Sequence, residues 1–73
     1  MSPPVTDETL RELRQRYQTA YTAYRSCVDA MTALTLRSEK PSLELLDSEA
    51  KALRELNEAR DAHRAALLEA DRI

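Results

Sequence analysis

Three kinds of side chain in this 73-residue sequence could do chemistry: one histidine, one cysteine, and the tyrosines Tyr17, Tyr21 and Tyr24. His63 would be the natural metal ligand or proton carrier. A helical metal pair needs a second donor three or four residues away, and those positions hold Ala59, Arg60, Ala66 and Leu67, which cannot ligate. Glu58 and Glu69 fall off that line. His63 is expected instead as an interfacial histidine hydrogen bonded to the Tyr17 hydroxyl, where its charge change near neutral pH would make association pH dependent. Cys27 would be a nucleophile only if a base or a helix N-terminus lowered its pKa. Burial in the middle of a helix does the opposite, so a packed thiol is expected. A single cysteine makes no intrachain disulfide.

Other chemistries fail on inventory. The chain has no Gly, so it holds no phosphate-cradling loop, dinucleotide fingerprint or nucleophile elbow. Spacing suggests no His/Asp arrangement for Ser26, Ser38, Ser42 or Ser48. Arg14, Arg25, Arg60 and Glu49 could bind an anion at an interface, but charged residues at this frequency are expected on any helical surface. The chain is expected not to be an enzyme, with no catalytic residue, no cofactor and no metal. Tyrosines four and three residues apart line one side of a helix, and Tyr serves interfaces well because a large ring is buried while its hydroxyl reaches water. Tyr21 is expected to face outward.

With 11 Lys and Arg against 13 Asp and Glu, the net charge of −2 offers no basic surplus for a phosphate backbone, so nucleic acid is excluded as a partner. No apolar run approaches the ~18 residues that span a bilayer, and no membrane association is expected. Met1 to Val5 lacks a basic stretch followed by an apolar one, so no secretory signal is read and the cytoplasm is the expected location.

The elements that must position these residues are helices. Pro at 3, 4 and 41 divides the chain into two uninterrupted segments. The expected fold class is all-α: an antiparallel two-helix hairpin, coiled-coil-like, dimerising into a four-helix bundle. Residues 1–5 are expected to be extended or disordered. Residues 6–73 then form one hairpin, with helix 1 over about 6–37, a turn at 38–41 and helix 2 over about 42–71. Thr6 is the expected N-cap, followed by Asp7 and Glu8 at the positive end of the helix dipole, with Val5 and Leu10 placed as a hydrophobic staple. Pro41 biases Lys40 away from helix, and Ser42 caps the second segment.

In helix 1, Leu10, Leu13, Tyr17, Ala20, Tyr24, Cys27, Met31 and Leu34 alternate at three and four residues, a heptad seam. Helix 2 carries two stripes, one through Leu46, Ala50, Leu53, Leu56, Ala59, His63, Leu67 and Ala70, the other through Leu45, Ala52, Ala59, Ala66 and Ile73. A hairpin covers one stripe of each helix, so the remainder should meet a second molecule. Facing Leu34 against Leu46 puts Cys27 near Leu53, Tyr24 near Leu56, Tyr17 near His63 and Leu13 near Leu67. Asp7 with Arg11, Glu12 with Arg16, Asp47 with Lys51 and Arg54 with Glu58 are spaced for surface ion pairs.

The candidate protein-interface residues are therefore Tyr17, Tyr21, Tyr24, Val28, Leu45, Ala52, Leu53, Leu56, Ala59, His63 and Ala66. The expected function is a small helical protein-interaction or structural module acting through self-association, with a homodimer as the partner state. The Lys40-Pro41-Ser42 turn between two long helices resembles the architecture of small secretion-apparatus subunits and their helical co-chaperones. That likeness implies the alternative of an adaptor whose broad apolar face is completed by a heterologous protein. It covers a turn and a shape, and transfers no residue.

Overall fold

A computed structural model describes residues 5–71 and contains two α-helices, α1 (Asp7–Leu36) and α2 (Leu43–Asp71), packed against each other as an antiparallel hairpin. The expected extended segment at 1–5 lies, apart from Val5, outside the described residues, as does Ile73. Each helix starts at a side-chain cap. Thr6, in extended backbone, accepts the Thr9 amide on its hydroxyl at 3.1 Å, and the Ser42 hydroxyl accepts the Leu45 amide at 3.1 Å. Both bonds satisfy an amide that the first turn leaves without an intrahelical partner. Val5 and Leu10, the positions of the staple, are both half-buried.

α1 ends in a Schellman motif. The Ser38 amide donates to the Thr35 carbonyl at 3.0 Å and the Glu39 amide to the Leu34 carbonyl at 2.9 Å. Such a cap needs a left-handed residue, and Ser38 takes it with φ 59°. Glycine fills this position without a Cβ penalty, but this chain has none. Pro41 then keeps the chain extended until Ser42 restarts the helix.

Along α1 the inward residues are Leu10, Leu13, Tyr17, Ala20, Tyr24, Cys27, Met31 and Leu34, all half-buried, as the heptad spacing requires. Along α2 the inward line is Leu45, Glu49, Ala52, Leu56, Ala59, His63, Ala66 and Ala70. This corrects the expected facing of Leu34, Cys27 and Leu13 with Leu46, Leu53 and Leu67, whereas Tyr17 meets His63 as expected. Ala52 and Ala66 occupy the seam at 7% and 8% exposure, while Leu46, Leu53 and Leu67 stay 41%, 38% and 46% exposed. The reason is volume. α1 brings leucine, tyrosine and methionine to the seam, and alanines opposite let the two backbones approach and those side chains interdigitate; leucines opposite would splay the helices.

Among the described residues the buried core consists of three alanines, Ala52, Ala59 and Ala66, of which only Ala59 is fully enclosed. The hairpin is a rod of 53 × 17 × 15 Å with a radius of gyration of 16.3 Å, against about 11 Å for a compact chain of this length. Its accessible surface is 6029 Å², against about 4,600 Å² for a compact monomer of this size.

The candidate interaction surface

Tyr17 and His63 lie across the seam with ring centroids 6.2 Å apart and planes tilted by 59°. The expected hydrogen bond from the Tyr17 hydroxyl is not formed; the two side chains meet ring to ring, in the tilted arrangement that aromatic pairs favour. This pair sets the register of the hairpin. Seven residues toward the turn, Tyr24 comes level with Leu56, and seven further Met31 comes level with Glu49, the two lining one groove.

That groove tells the two broad faces of the rod apart. It runs along Tyr24, Val28, Met31, Thr35 and Leu36 of α1 beside Glu49 of α2. Leu46 and Leu53, three residues before and four after Glu49, share its side of α2, and Arg60 and Leu67 continue that line at intervals of seven. On α1 the same side carries Val28 and, seven residues earlier, Tyr21, which with Arg14, Tyr17 and Gln18 lines a shallow concavity nearer the termini. The opposite face is different. There Arg16, Thr19 and Ala23 border Glu55 and Glu58. One face of the hairpin is thus leucine- and tyrosine-bearing, with arginines along it and Glu49 at its groove, and the other is more polar, with Arg16 beside Glu55 and Glu58.

Each candidate residue can now be located. Tyr17, Tyr24, Leu45, Leu56 and His63 are half-buried in the seam. Ala52, Ala59 and Ala66 are enclosed there, so the helix that the alanine stripe admits is α1 of the same chain. Val28 stands half-buried at the groove, and Leu53 and Tyr21 are exposed at 38% and 48% on the apolar face. Leu46 and Leu67 belong with them, although their place in the surface emerges only once the seam is known to run through Leu45, Ala52 and Ala66. The signal was present in the sequence as the interval of seven that links Leu46, Leu53, Arg60 and Leu67.

The charged residues near this face make local contacts. Arg25 donates to the Tyr21 hydroxyl at 3.4 Å and pairs with Asp29 at 3.6 Å. The Tyr21 hydrogen bond, followed by the charges of Tyr21 and Asp29, raises the guanidinium pKa above its ordinary value. Arg60 pairs with its neighbour Asp61 at 3.3 Å, and Arg37 with Glu39 at 3.7 Å. None of the four expected helix-surface pairs closes, and no ion pair among the described residues bridges the two helices. Long exposed side chains gain too little from such pairs to be held in one geometry.

Cys27 is a free, half-buried thiol on the seam. Among the described residues no group of three or more His, Cys, Asp and Glu is placed to hold a metal, and no helix is long and apolar enough to cross a membrane. Comparison with known proteins matches no family model, no curated protein and no solved structure.

Proposed function

We propose that this chain is a helical interaction module that works by self-association, two hairpins closing into a four-helix bundle through the face that bears Tyr21, Leu46, Leu53 and Leu67. One observation carries the reading: the buried core of the described residues is three alanines, while seven large apolar side chains stay exposed, four of them, Tyr21, Leu46, Leu53 and Leu67, at positions that share one face. Three methyl groups and a half-wet seam offset little of the entropy of ordering two long helices, so a pair of such faces gains by excluding water from each other. Four-helix bundles assembled from hairpins are a standard outcome of that geometry. The lone half-buried Cys27 suits a reducing compartment, and the proposed setting is the cytoplasm.

The test is sedimentation equilibrium across a micromolar concentration series, with helix content followed by circular dichroism. A dimer whose helicity falls on dilution is the expected result. A chain that stays monomeric and fully helical throughout would overturn self-association and leave the apolar face to a different protein.

A further inference from the structure

We draw no further inference here: the strongest candidate, the surface patch on which Tyr21, Leu46, Leu53 and Leu67 flank the groove beside Glu49, is an unpartnered apolar face that belongs to the surface already described, and nothing in the structure shows what covers it.

Discussion

The ring of Tyr17 stands 6.2 Å from that of His63, centroid to centroid and tilted by 59°, and this pair holds α1 and α2 in register. It lies in the terminal half of the rod, where α2 otherwise presents only alanine to the seam, at Ala59, Ala66 and Ala70. A slip of either helix by one turn would set the tyrosine ring over a methyl group.

Because the contact is made by rings, the Tyr17 hydroxyl should matter little. Tyr17→Phe is expected to leave stability within about 0.5 kcal/mol of the parent, whereas His63→Ala should lower it by about 1 kcal/mol, the size of an aromatic pair contact. Urea unfolding of both variants distinguishes the two cases. A large loss in Tyr17→Phe would show that the hydroxyl carries the interaction.

The Schellman cap of α1 stores a small strain. Ser38 sits at φ 59°, where an L-residue with a Cβ is disfavoured and glycine is not. Ser38→Gly should therefore stabilise the hairpin by about 1 kcal/mol, raising the thermal midpoint by roughly 4–8 °C for a domain of this length. Ser38→Val should lower it, since a β-branched side chain tolerates this region least. Thermal melts by circular dichroism measure both, and a fall in the glycine variant would contradict the assignment of strain to this residue.

Ala59 is the most enclosed of the buried residues described, at 0% exposure, and the register of the hairpin sets it opposite Ala20. Ala59→Leu has nowhere to put three more carbons without spreading the helices, and is expected to cost about 1–3 kcal/mol. Leu68→Ala, at a position 68% exposed, serves as the control and should stay within about 0.5 kcal/mol. Guanidinium unfolding of the pair would reveal a looser seam if Ala59→Leu proved neutral.

Much of this fold is legible in the residues because local signals agree. Thr6 and Ser42 carry side-chain oxygens just where each helical run begins, and the α1 heptad from Leu10 to Leu34 has one apolar stripe and no rival. α2 is ambiguous for a physical reason. It carries leucines on one line and alanines on the neighbouring one, and side-chain hydrophobicity alone favours burying the leucines. What decides is the partner: bulky residues on α1 select the small stripe on α2, a volume criterion that becomes visible only when both helices are considered together. The interaction surface shifts with that choice, which is why Leu46 and Leu67 join it while Ala52, Ala59 and Ala66 are absorbed by the hairpin. Ser38 was unreadable for another reason. Without glycine in the chain, nothing in the sequence marks the left-handed position of the cap.

Neighbouring positions on α2 separate folding from assembly. Ala52 is 7% exposed and faces α1, whereas Leu53 is 38% exposed and faces away from the seam. Ala52→Asp would place a carboxylate between the helices with no cation opposite, and should abolish helicity and association together. Leu53→Asp meets water in the single hairpin, so its helical signal should survive. The same charge would be trapped without a partner in the assembled bundle, so the variant should run as a monomer. Light scattering combined with circular dichroism reads both properties from one sample. Loss of helix in both variants would put Leu53 inside the hairpin, and a dimer retained by Leu53→Asp would move the association surface to a different face.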